Sequence, residues 1–107
     1  MRILVVCGAG ASSTFVAQRL ERAANGAGLA WSVQAGTERA ALDAGGLDLV
    51  LVGAHLAPRA DGIGTALHGR TPVLVLPADA PADLDGSRTL RFVRDAIAAP
   101  HDRKEHP

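Results

Sequence analysis

The chain has no tyrosine, two phenylalanines and one tryptophan in 107 residues. Its core must therefore be aliphatic, built from Val, Leu, Ile and Ala. It holds one cysteine, so no internal disulfide can form and nothing points to a secreted scaffold. It has no excess charge of either sign: eleven basic and eleven acidic side chains cancel. That balance removes the usual electrostatic case for a nucleic-acid partner or an anionic membrane. No apolar run approaches the ~18–20 residues of a membrane span, so no membrane insertion is expected. Met1 to Cys7 runs straight into Gly8, without a signal peptide's long apolar segment and cleavage site. His68, His101 and His106 show no metal-ligand spacing with Cys7, and no metal is expected.

What is present is a globular balance, with 48% hydrophobic and 21% charged residues. The length suits one domain, expected over residues 1–99 in the cytoplasm. The tail at 100–107 is charged and unpatterned, and is expected to be disordered. Four short apolar runs stand out: Ile3–Val6, Trp31–Ala35, Leu47–Val52 and Val73–Leu76. Continuous β-branched and Leu runs mark parallel strands buried on both faces. The second run alternates, with Trp31, Val33 and Ala35 on one side and Ser32 and Gln34 on the other, as in an edge strand with one wet face.

The segments between read as helices. Residues 13–27 place Val16, Leu20, Ala23, Ala24 and Ala27 at helical spacing, with Gly26 and Gly28 as the stop. Residues 37–44 form a short helix with Thr37 as N-cap. Residues 58–68 are the weakest, since Gly62 and Gly64 each cost ~1 kcal/mol against Ala. Residues 87–99 carry Leu90, Val93 and Ile97 on one stripe, with Ser87 or Asp85 near the start. Ala78–Gly86 is the one long loop, and its aspartates Asp79, Asp83 and Asp85 read best as solvated carboxylates. Strand and helix thus alternate four times, which implies a parallel sheet with helices on both faces.

In such a sheet, ligands bind at the carboxyl ends of the strands. Strand 1 ends at Cys7, followed by Gly8, Ala9, Gly10, Ala11, Ser12, Ser13 and Thr14. Small residues let the backbone curl and expose its N–H groups. The helix that follows adds unpaired N–H groups and a positive dipole end. Together they make an anion site, with three hydroxyls as further donors. The same field favours the thiolate of Cys7, whose ordinary pKa is roughly 8.5. A thiolate nucleophile beside a phosphate-holding loop suggests a phosphocysteine intermediate.

Other readings of the loop are poorer. It fits a dinucleotide fingerprint except for the last glycine. No Lys follows the glycines, which excludes a Walker A loop. A C-x5-R phosphatase needs Arg where Ser13 stands. His55 and Arg59, just after strand 3, are candidate contacts for phosphate or a partner, or simply an exposed loop. Phe15 has two readings, an exposed partner anchor or a core residue beneath the loop. Two alternatives from other classes stay open: a flavodoxin-like module binding a nucleotide or phosphate, and a low-molecular-weight phosphatase-like enzyme. The scarcity of aromatics disfavours flavin.

The residues resemble the IIB component of the phosphotransferase system (PTS), lactose/cellobiose type. The family opens with a strand, a Cys-x-x-Gly-x-Ser-Ser/Thr loop and a helix, matched here by Cys7 to Ser13. Its third strand ends in a Leu-Gly-Pro-Gln turn. The counterpart is Val52-Gly53-Ala54-His55, with Ala for Pro and His for Gln. Its last Pro-Val-x-Val-Ile/Leu strand matches Pro72 to Leu76. The Cys-Gly-x-Gly opening is also similar to ascorbate- and galactitol-type IIB proteins. The resemblance implies an α/β fold of three layers. The four-stranded parallel sheet would take the order 2-1-3-4, as in low-molecular-weight tyrosine phosphatases and flavodoxin-like domains. It further implies a relay: phosphoryl passes from a phosphohistidine on a IIA component to Cys7, then to a sugar bound by the membrane IIC transporter. No cofactor is implied.

Overall fold

The computed structural model describes residues 1–6, 11–43, 45–67, 71–78, 83 and 85–98. The expected tail at 100–107 lies outside them. The elements, in chain order, are β1 (Arg2–Val6), α1 (Ala11–Gly26), β2 (Ser32–Gly36), α2 (Glu38–Asp43) and β3 (Leu49–Val52). A 3₁₀ turn (Ala54–Leu56) then leads into α3 (Ala57–Ala66), β4 (Val73–Val75) and α4 (Ser87–Ala98). The four strands are parallel, in the order β2-β1-β3-β4. The fold is the expected α/β arrangement.

Two separate cores explain why β1 and β3 read as unbroken apolar runs. Alternate residues of a strand face opposite sides of a sheet. Ile3, Val5, Leu49 and Leu51 pack with Val16, Leu20 and Ala24 of α1 and with Leu90 and Val93 of α4. Leu4, Val6, Val50 and Val52 pack on the other side with Ala41 of α2 and Ile63 of α3. Helices cover both faces, so neither side of the central strands can be polar.

The edge strands differ from the central ones. β2 alternates as expected, with Val33 buried between exposed Ser32 and Gln34. β4 does not match the expectation of burial on both faces. It has a neighbour on one side only, and Val75 is 36% exposed. The expected α4 stripe also falls short at its end. Leu90 and Val93 are buried, but Ile97, in the last turn, is 41% exposed. Helix α3 forms despite Gly62 and Gly64, pinned by buried Ile63 and started with Pro58 in its first turn. Thr37 caps α2, its Oγ1 accepting the Ala40 N–H at 3.1 Å.

Candidate functional site

Parallel strands bring all their carboxyl ends to one edge, and each following helix begins there. The Gly53 N–H donates to the Val6 carbonyl at 2.9 Å. The Leu76 N–H donates to the Val52 carbonyl at 2.8 Å. Gly36 lies opposite Val6 in the β1–β2 register. The ends of all four strands are thus level, and Val6 is central among them.

Cys7, Gly8, Ala9 and Gly10 follow Val6 in the chain and lie outside the described residues. Helix α1 resumes the description at Ala11, two residues earlier than the spacing predicts. Ser12, Ser13 and Thr14 therefore belong to the first helical turns and not to the loop. An Ala at 11 accepts helical geometry without cost, which lets the helix reach back towards the glycines. Its first N–H groups, including those of Ala11, Ser12 and Ser13, have no carbonyl four residues back within the helix. The donors that this stretch offers an anion are main-chain groups first. Thr14 is exposed.

Phe15 resolves in favour of solvent: it is 55% exposed. The guanidinium carbon of Arg19, one turn on, sits 5.6 Å from its ring centroid. That distance suits a cation–π contact, which holds the ring upright on the helix surface. His55 is exposed in the 3₁₀ turn that begins after Gly53, at the same sheet edge. Arg59 is exposed in the first turn of α3 and lines an open groove with Arg39, Leu42 and Asp43 of α2. The edge thus gathers Phe15 and His55 around the end of β1, while Arg59 borders α2. Among the described residues no three His, Cys, Asp or Glu side chains are grouped to hold a metal ion.

The loop after β4 departs from the solvated-carboxylate expectation at Asp83, while Asp79 lies outside the described residues. Asp83 is buried, at 5% exposure. Its Oδ2 accepts both the Thr89 N–H at 2.7 Å and the Thr89 hydroxyl at 2.9 Å. These bonds satisfy a donor of the first α4 turn and give the buried carboxylate two hydrogen-bond donors. Asp85 remains exposed, and its Oδ1 accepts the Ser87 N–H at 2.9 Å. That bond, with a second from the Ser87 side chain, holds its pKa below 3.8. Gly86 between them is buried with φ +76°, and a Cβ there would collide with the Arg19 carbonyl. This close approach fastens the start of α4 to α1, one turn from Phe15. The Asp-x-Asp-Gly-Ser-x-Thr spacing from residue 83 was the available signal for this junction.

A family model, the lactose/cellobiose-specific IIB subunit of the PTS, matches residues 2–87. The chain belongs to that family. This IIB chain is also similar in structure to the lactose-specific IIB component domain of the phosphoenolpyruvate:carbohydrate phosphotransferase system from Streptococcus pneumoniae. The TM-score is 0.76 at 18% identity, covering 89% of this chain and 95% of that one. At that identity the likeness speaks for the fold. A comparison of the sequence with curated proteins finds no match. The IIB chain is accordingly a phosphotransferase component of a sugar-transport system. No helix among its described residues is long and apolar enough to cross a membrane.

Proposed function

We propose that Cys7 carries the phosphoryl group, receiving it from a phosphohistidine of a IIA component and passing it to a sugar held by a membrane IIC component. The observation that carries this reading is positional. The only cysteine of the chain follows Val6, the last residue of β1, inside the matched residues 2–87. Helix α1 begins four residues later. Its unpaired N–H groups and positive end favour both a thiolate and a bound phosphoryl group.

The chemistry is two displacements at phosphorus. The Cys7 thiolate attacks the phosphorus, a sulfur–phosphorus bond forms, and the imidazole leaves with the electron pair of the broken nitrogen–phosphorus bond. A sugar hydroxyl then attacks the same phosphorus, and Cys7 departs as thiolate while the hydroxyl proton goes to solvent or a base on IIC. Gly8, Ala9, Gly10, Ala11, Ser12, Ser13 and Thr14 are the proposed cradle for the phosphoryl oxygens. Ser13 stands where phosphatases of C-x5-R type carry Arg. Without that fork, attack by water is poorly stabilised, and the group survives until it meets its acceptor. Phe15, His55 and Arg59 are the proposed partner or phosphate contacts. The relay would run on the cytoplasmic side of the membrane that holds IIC.

The test is transfer of labelled phosphoryl from phosphorylated IIA. Wild-type protein takes up one thiol-linked label. Cys7→Ser folds, by circular dichroism, and takes up none. Full labelling of Cys7→Ser would falsify the assignment.

A further inference from the structure

Zero net charge conceals a segregation that the fold makes visible. Helices α1 and α4 lie side by side on one face of the sheet, sharing one core. They carry Arg19, Arg22, Arg88, Arg91 and Arg94 against two carboxylates, Glu21 and Asp95. Glu21 is turned aside: its Oε1 accepts the Val33 N–H at 2.8 Å, at the β2 edge. The opposite face is different. Helices α2 and α3 carry Arg39 and Arg59 against Glu38, Asp43 and Asp61, and Arg39 is 4.0 Å from Asp43. One face is therefore basic and the other is balanced to slightly acidic.

On the basic face, Arg22, Arg91 and Arg94 are exposed and make no ion pair among the described residues. Arg91 and Arg94 line an open groove on α4 with Ser87, Leu90 and Asp95. Two exposed apolar side chains frame the arginines, Phe15 at the start of α1 and Ile97 at the end of α4. Cations interspersed with a few exposed apolar groups on parallel helices make up the composition of a surface that rests on lipid headgroups. An acidic protein partner would be met as well by arginines alone. The exposed Ile97, at the end of α4 away from the carboxyl edge, favours the membrane.

We propose that the α1/α4 face binds an anionic lipid surface. Lying flat on that face would hold the domain beside the leaflet, with the carboxyl edge of its sheet free to reach a membrane-embedded acceptor. The choice of occupant rests on the proposed relay, which delivers its group to a membrane subunit. The binding itself is read without IIA or IIC, so its failure and the failure of Cys7 labelling are separate results.

The experiment is flotation of the full chain with vesicles of equal phosphatidylglycerol and phosphatidylcholine, against phosphatidylcholine alone. Binding to the anionic vesicles that falls with added salt is expected. Reversing two arginines, Arg91→Glu with Arg94→Glu, should weaken it at least about 30-fold. The control on the opposite face, Arg39→Glu with Arg59→Glu, should leave it unchanged. Ile97→Ser, which keeps all charges, should weaken it severalfold. The proposal is overturned by equal binding to neutral vesicles, by equal loss in the control, or by capture of polyglutamate with no vesicle binding.

Discussion

Gly86 is the residue on which the packing of the first and last helices most depends. Its φ of +76° disfavours any side chain, and its Cβ position is already filled by the Arg19 carbonyl. Both costs act together in Gly86→Ala, which should lose about 3 kcal/mol or more in urea unfolding. Gly28 separates the two effects. Its φ is +81° but nothing lies within 4 Å of its Cβ position, so Gly28→Ala should lose only about 1 kcal/mol. Equal losses would mean that Gly86 is not a point of contact. Asp83 holds the start of α4 by hydrogen bonding, and Asp83→Ala strands a buried Thr89 N–H at a cost of about 2 kcal/mol. Asp85 adds a pH dependence. Its folded pKa lies below the ordinary 3.8, so its contribution is full above that value and is lost as pH falls through the folded pKa. The stability gap between wild type and Asp85→Asn should thus be constant near neutrality and close below about pH 3.8. A gap that widens with acid would reverse the sign of this account.

At the scale of elements, the two edge strands are treated differently. The Ser32 N–H donates to Met1, so the pleat turns the next N–H, that of Val33, away from β1. Glu21 of α1 accepts it and blunts the β2 edge against a foreign strand. Glu21→Ala should raise the exchange rate of the Val33 amide severalfold and cost about 1 kcal/mol, whereas Glu21→Gln keeps an acceptor and most of the protection. β4 is protected by brevity, a strand of three residues in a segment that Pro72 and Pro77 close. Much of this architecture was legible beforehand, because hydrophobic period reports how many faces of a strand are covered. The Ile3–Val6 and Leu47–Val52 runs become central strands, the second starting at Leu49, and the alternating Trp31–Ala35 run becomes an edge. What local pattern could not reveal depended on distant partners. Asp83 looks like any loop aspartate until Thr89 folds over it. The value of Gly86 lies in Arg19, far away in sequence. Ile97 fits the α4 stripe by spacing, but spacing does not say that this position ends 41% exposed. The candidate site was read as a position, the strand-to-helix turn after β1; its residues 7–10 lie outside the described ones, and what the structure adds is the start of α1 at Ala11.

For the molecule as a whole, parallel strands create a polarity that the function can use. All four carboxyl ends lie at one edge, so the two ends of the domain cannot serve the same purpose. In the proposed relay, two successive partners must reach one sulfur, and both would therefore use the edge that follows Val6. Phe15 stands there with its ring in solvent, and exposed aromatics are favoured at the centres of interfaces. Arg19 against the ring would supply a cation where, in that relay, a phosphorylated partner brings its dianion. Adding a IIA domain should shift the resonances of Thr14, Phe15, Gly53, His55, Leu76 and Ala78, which all lie at or next to that edge. Gly45 and Gly46, before β3 and hence at the opposite edge, should stay still. Phe15→Ala should unfold at the same urea concentration as wild type, since it buries little, yet accept phosphoryl from IIA about tenfold or more slowly. Arg19→Ala should slow the same step less, and more at low salt than at high salt, because only its charge contributes to encounter. Shifts centred on Gly45 and Gly46, or an undiminished rate in Phe15→Ala, would move the docking surface away from the carboxyl edge.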